Sequence, residues 1–211
     1  MKHHVFNQVV ESEEELRSLY GYPGELVNNK TIAFMDHHCR EFIAKSPLLF
    51  MATSDSSGAC DVSPRGDAEG FVYVLDDKHL VIPERPGNRR FDSLRNLMEN
   101  PQVGLIFIIP GLEETLRING QASIVKDQEI MKHMEAHGKV PMIGIGVEVE
   151  ECFIHCAKAF KRSHLWESDY WPAKEALPKP AAILAEHTKK LGVSEDEISL
   201  ALKESYEKRL Y

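Results

Sequence analysis

The sequence is poor in the features that would place it in several large classes. It has no long apolar run: the longest, Val103 to Ile109, is far too short to cross a bilayer. It has no excess of positive charge. Twenty-five Lys and Arg stand against 33 Asp and Glu, a formal net charge of −8, which excludes a general nucleic-acid binder while leaving room for one local basic cluster. Cysteine is scarce. Cys39, Cys60, Cys152 and Cys156 contain no C-x-x-C spacing, so neither a zinc knuckle nor a thioredoxin-like motif is present. No Gly-x-Ser-x-Gly elbow supports nucleophilic hydrolysis, and neither the Walker nor the Rossmann glycine pattern occurs. Met1-Lys2-His3-His4 is not followed by an apolar stretch and a small-residue cleavage site, so no export signal is expected. These absences lead us to expect a cytoplasmic protein without membrane or nucleic-acid partners, its thiols reduced and mostly buried.

What is present is an ordinary globular balance, 43% hydrophobic and 27% charged, arranged in a clear order. Ser12 with Glu15 offers a capping box for a first helix, broken by Gly21-Tyr22-Pro23-Gly24. Ile32, Met35, Cys39, Phe42 and Ile43 repeat with helical spacing, predicting a second helix over 32–45 with one buried face. Short strand-like runs follow at 48–54, 59–63, 71–75, 79–83, 103–109, 115–125 and 145–154, joined mainly by turns. In the last run Val147, Val149 and, after a break, Phe153 alternate. Counted as roughly six strands, this pattern suggests an antiparallel barrel. Helices are expected at 89–99 and 127–136, and a charged helical tail at 180–191 and 194–208. The chain is thus read as an N-terminal helical segment (1–45), a barrel domain (46–170) and a helical tail (171–211).

Three stretches could carry chemistry. In Ile82-Pro83-Glu84-Arg85-Pro86-Gly87-Asn88-Arg89-Arg90-Phe91-Asp92-Ser93 a strand runs through a Pro-Gly turn into a helix. Arginines 85, 89, 90 and 95 fall within eleven positions. A helix start with its unpaired N–H groups, guanidinium groups and a hydroxyl make a phosphate site. The competing reading is that Glu84 and Asp92 neutralise these arginines in ion pairs. In Asp61-Val62-Ser63-Pro64-Arg65-Gly66-Asp67, Pro64 requires a strand end, bulge or edge, a place where Arg65 can turn to a ligand or simply face water. The third stretch, His155 to Trp166, joins Lys158, Lys161, Arg162 and Ser163 to an indole suited to covering a planar ring or to anchoring a core. His133 and His137 stand four apart on an expected helix, but no carboxylate completes a ligand pattern, and no metal site is expected.

The order "SPRGD", "IPERPGNRRFDSLRNLMENP", "ETLRINGQASI" and "HCAKAFKRSHLW" resembles the FMN-binding flavoproteins related to pyridoxamine 5′-phosphate oxidase, over about residues 46–166. The resemblance implies a mainly β fold with flanking helices: a six-stranded antiparallel split β-barrel of Greek-key type. It implies a homodimer with FMN at the subunit interface and a small-molecule substrate. Arg85, Asn88, Arg90 and Ser93 would hold the FMN phosphate, and Ser63 and Arg65 would lie along the isoalloxazine ring. Lys158, Arg162, Ser163 and Trp166 would come from the second subunit, with Thr115 and Arg117 on a neighbouring strand. The sequence departs from the oxidases proper in the register of its cations around Ser93 and in its helical tail, and carries Arg65 where Lys is expected in many close relatives. An FMN-dependent oxidoreductase is the leading expectation. Alternatives on the same barrel are a haem-binding or haem-degrading protein using His155 or His164, a non-catalytic flavin-binding stress protein, and a deazaflavin enzyme.

Overall fold

The computed structural model describes residues 5–211; the first four residues, which bear on the export-signal expectation, lie outside the described residues. The chain divides into two compact units, the first ending at Thr31 and the second spanning Ile32–Tyr211. The first holds helices α1 (Glu13–Tyr20) and α2 (Glu25–Asn29). Ser12 caps α1 by accepting from the Glu15 amide at 3.1 Å. Glu15 reaches back to the Glu11 amide, not to that of Ser12, so half of the expected capping box forms.

The second unit is built on one antiparallel sheet. Its elements are α3 (His37–Lys45), β1 (Leu48–Ser54), β2 (Cys60–Gly66), β3 (Tyr73–Val74), β4 (His79–Pro83), α4 (Asp92–Glu99), β5 (Gln102–Ile108), β6 (Thr115–Val125), α5 (Gln128–Lys132), β7 (Gly144–His155), α6 (Lys158–Ser163), α7 (Pro180–His187) and α8 (Glu195–Lys208). The strand order is β2-β1-β5-β6-β7-β4-β3. Seven strands form where roughly six were counted; each overlaps one of the seven runs read from the sequence, that at 71–75 shrinking to the two-residue β3. The edge strand β2 is tied by side chains to the other side of this order: Arg65 on β2 pairs with Glu84, which directly follows β4, the strand next to the far edge. The sheet therefore curls into a barrel whose seam is closed by an ion pair and not by a backbone ladder, the geometry of a split barrel.

Alternation explains the core. On β1, Leu49 and Met51 are fully buried while Phe50 and Ala52 face outward. The register carries this across the sheet: Leu49 opposes Arg65 and Phe107, and Phe50 opposes Pro64 and Ile106. Met35, Ile43, Phe107, Ile118 and Ile145 are among the buried residues that complete the core. The helical spacing read over 32–45 does bury one face, but α3 starts only at His37, where Asp36 caps it by accepting from the Cys39 amide at 2.8 Å.

On β7 the alternation breaks. Ile145, Val147 and Val149 are buried, yet the next inward residue is Cys152, and Phe153 turns to the other face. The cause is a register shift at Asn119/Gly120, which leaves Glu150 without an opposite residue on β6. Gly120 sits at this bulge because a methyl group there would overlap the Glu148 carbonyl. Of the four cysteines only Cys152 is buried; Cys39 is half-buried and Cys60 and Cys156 are exposed, so the expectation of mostly buried thiols is corrected. All four are free. Cys60 opens the edge strand β2 and Cys156 directly follows β7, so both sit at strand ends. Among the described residues no helix is long and apolar enough to cross a membrane.

Candidate functional site

The seam of the barrel opens into a cleft of about 440 Å³, lined by residues 61–66 of β2, by Phe71 and by 83–89 and 91–94 of the turn leading into α4. Two prolines shape it. Pro64 sits on an edge strand that pairs only with β1, where its missing N–H costs no ladder bond. Pro83 ends β4 and sends the chain into the arginine-rich turn. Arg89 and Phe91 adopt left-handed backbone (φ 61° and 59°), so the helix expected from Arg89 starts only at Asp92. Phe91 at the N-cap offers no side-chain acceptor. The first amides of α4 are therefore uncapped by the protein where Ser93 and Leu94 meet the cleft.

The inward alternation of β2 places Asp61, Ser63 and Arg65 on the cleft side. Ser93 Oγ donates to Asp61 Oδ2 at 2.9 Å and lies 3.0 Å from Ser63 Oγ. Arg65 donates through Nη1 to Glu84. Its Nε is buried and has no hydrogen-bond partner, alone in this among buried side-chain polar atoms of the described residues. A lone buried donor is costly unless something else satisfies it.

Arg85 donates through Nε to Asp67 Oδ2 at 2.7 Å and through Nη2 to the Met134 carbonyl at 2.9 Å. The Asp67 side chain is 3% exposed. Burial works to raise its pKa, but hydrogen bonds from Tyr211 and the Ala68 amide and the charge of Arg85 outweigh it and hold the carboxyl below the usual aspartate value. Arg90, by contrast, is 73% exposed and bonded to Asp92 at 2.9 Å.

The structure thus brings Ser63, Arg65, Arg85, Asn88 and Ser93 to one cleft, adds Arg89, Asp61 and Phe91, and leaves Arg90 out of its lining. Of the two neutralising acids read from the sequence, Asp92 does pair with an arginine of the cluster, Arg90, whereas Glu84 pairs with Arg65 of β2, outside it. Arg89 has no ion pair among the described residues. The left-handed residues that swing Arg89 inward and Arg90 outward are non-glycine, so no sequence signal marked them.

Lys158, Arg162 and Ser163 lie exposed on α6, outside this cleft. Trp166 donates its indole N–H to the Leu112 carbonyl at 3.0 Å and stacks near Phe160. Thr115 is buried on β6, and Arg117 lies over the Phe153 ring at 5.2 Å. His164 is bonded to Glu167 at 2.8 Å and stacked on Tyr170. No group of three or more metal-ligating side chains occurs among the described residues.

The barrel and its seam site define a class, and the sequence places the chain within it. The sequence profile of pyridoxamine 5′-phosphate oxidase matches residues 35–156, more than half of the chain, and the protein belongs to that family. No curated protein matches it in sequence. Similar solved structures include HupZ of Group A Streptococcus (20% identity, 56% of this chain and 92% of that one, TM-score 0.47). They also include HutZ, the haem storage protein of Vibrio cholerae (21%, 57% and 93%, 0.41). A third is an FMN-binding protein of Syntrophomonas wolfei (10%, 56% and 88%, 0.43).

Proposed function

We propose that the chain binds FMN in the seam cleft, as a homodimer, and serves as an FMN-dependent oxidoreductase for a small-molecule substrate. The observation that carries this reading is the buried, unpartnered Nε of Arg65 in a cleft that also holds the unpaired Arg89 and an uncapped helix start. That set suits a planar, hydrogen-bonding ring joined to a phosphate. Arg89, Arg85, Asn88, Ser93 and the first amides of α4 would hold the phosphate. Ser63 and Arg65 would face the ring. The flavin supplies the hydride or electron chemistry, and the protein binds, orients and shields it. A cation at Arg65 favours negative charge on the adjacent ring edge and so eases reduction.

The dimer is supported by the outer face of the sheet. Phe50, Val62 and Ile106 are 37%, 62% and 38% exposed and neighbour one another across β2, β1 and β5, with Pro64 and Ala52 between them. A second copy is the occupant proposed, because it would also bring the 158–166 segment, with Lys158, Arg162, Ser163 and Trp166, to the cleft of its partner. Phe50→Glu tests this by placing a charge in the patch; sedimentation should then give a monomer where the unmodified protein gives a dimer.

The test of the cofactor is the visible absorption spectrum of the purified protein with mass analysis of any released group. A two-band flavin spectrum that bleaches with a reductant, with FMN released, is the expected result. A colourless protein that refuses added FMN overturns the proposal, and a Soret band on haem titration would replace it with the haem reading.

A further inference from the structure

The segment that follows α8 reaches Arg85, one of the residues that line the cleft. Beyond α8, the Tyr211 hydroxyl donates to Asp67 Oδ1 at 2.6 Å. The other oxygen of that carboxylate accepts from Arg85 Nε at 2.7 Å. The Arg85 guanidinium also lies 6.0 Å from the centre of the Tyr211 ring, on its face. Tyr211 is itself fixed on two further sides. Lys139 Nζ donates to its main-chain oxygen at 2.7 Å, and the His137 ring lies 4.2 Å from its ring. Asp67 stands just after β2 and Arg85 just after β4, so this chain of contacts bridges the two sides of the barrel seam.

These contacts sort the donors of Arg85. Nε is committed to Asp67 and Nη2 to the Met134 carbonyl, while Nη1 makes no hydrogen bond among the described residues. A carboxylate shared between a phenol and a guanidinium has its charge divided between them, so it neutralises the arginine less than an unshared one would. It also cannot swing away without breaking the phenol bond. Remove the phenol hydroxyl and Asp67 is freer to turn fully onto Arg85, taking both the orientation and part of the charge of the guanidinium away from the cleft.

We propose that Tyr211 is a positioning residue of the ligand site: it locks Asp67 so that Arg85 presents Nη1 and its charge to the anionic end of the bound flavin. This rests on the flavin reading, and the experiment separates the two. FMN and riboflavin, the same flavin without its phosphate, are titrated into the full-length apoprotein and into Tyr211→Phe, Arg85→Ala and the double variant, with thermal unfolding recorded for each. Tyr211→Phe keeps the ring and removes only the hydroxyl.

The expected result is FMN binding about tenfold weaker in Tyr211→Phe, with riboflavin affinity unchanged. In the Arg85→Ala background the same substitution should have no further effect. Preferential FMN binding by the unmodified protein with no change in Tyr211→Phe overturns the role of Tyr211 and leaves the flavin site standing. Equal losses for FMN and riboflavin overturn it too, because they report a general loosening of the barrel. If the unmodified protein binds neither flavin, the proposed function fails first and this role falls with it.

Discussion

Glu84→Gln should destabilise the empty protein and tighten its ligand. The Arg65 and Glu84 side chains are 16% and 17% exposed. Breaking a fully buried pair by deleting one partner costs about 3–5 kcal/mol. Glutamine keeps an acceptor for Arg65 Nη1, and the seam admits some water, so about 2 kcal/mol is expected here. For a chain of this length each kcal/mol moves the midpoint by about 2–4 °C, giving a fall of about 4–8 °C in a calorimetric scan of the apoprotein. The second arm has the opposite sign. A carboxylate on the order of 10 Å from a bound phosphate, at an effective dielectric constant of about 20, repels it by about 1.7 kcal/mol. Removing it should strengthen FMN binding at least tenfold by titration. An unchanged midpoint would show that the pair does not hold the seam. Weaker FMN binding would show that Glu84 serves the ligand and does not compete with it, and the charge argument for the cleft would fail.

Arg89→Ala should weaken FMN binding about tenfold or more, Arg90→Ala less, and Arg95→Ala least. Only Arg89 of the three lines the cleft, and Arg90 is held at the surface by Asp92; equal losses in equilibrium dialysis would refute the assignment. Asp67 has its pKa held below the ordinary value in the folded protein, so its contribution to stability is present above about pH 4 and is lost as pH falls through the lowered folded value. Asp67→Asn should therefore flatten the acid limb of stability against pH in urea titrations, and an unchanged slope would count against the buried carboxylate. Gly120→Ala forces a methyl group against the Glu148 carbonyl at the bulge and should cost about 3 kcal/mol, read as a fall in the urea midpoint. Alkylation of the native protein followed by mass analysis should modify Cys60 and Cys156 first and leave Cys152 protected.

The strands were legible because their alternation is local. Leu49 and Met51 against Phe50 and Ala52, or Val147 and Val149, announce themselves without knowledge of partners. What could not be read were features set by pairing. The phase change that makes Cys152 and not Phe153 face inward depends on the Asn119/Gly120 register shift across two strands. The strand read over 71–75 is cut to the two residues of β3, because only Tyr73 and Val74 pair with β4. The late start of α4 depends on left-handed Arg89 and Phe91, residues with no propensity for that backbone, and it decides which arginine enters the cleft. The cation cluster itself was visible in the sequence, as was Asp92 as a neutralising acid; the pairing of Glu84 with Arg65 was not. That Asp67 and Tyr211, 144 positions apart, complete the set was not, since no spacing rule connects a strand end to a tail.

A cleft lined by three arginines and three carboxylates, Asp61, Glu84 and Asp92, is formally neutral, which at first sight argues against an anionic ligand. The arrangement of the pairs answers this. Asp61 is occupied by the Ser93 hydroxyl and Asp92 by Arg90 outside the lining, so each has a donor already engaged. Of the lining carboxylates only Glu84 pairs with a cleft arginine, while Arg85 is paired with Asp67 outside the lining and keeps Nη1 free of hydrogen bonds among the described residues, and Arg65 retains an unsatisfied Nε. Within one chain the lining also lacks the late-segment cations that the family resemblance implies. Arg65, Leu49, Phe107, Leu116 and Ile154 form one cross-strand row, and α6, which starts beyond β7, contributes no residue to the cleft lining. Within one chain Lys158 and Arg162 thus lie outside the cleft lining. Their cations can serve the ligand if a second copy covers the apolar outer face, and the proposed dimer and the proposed flavin site are therefore one hypothesis: Phe50→Glu, far from the cleft arginines in function, should lower FMN affinity together with dimerisation.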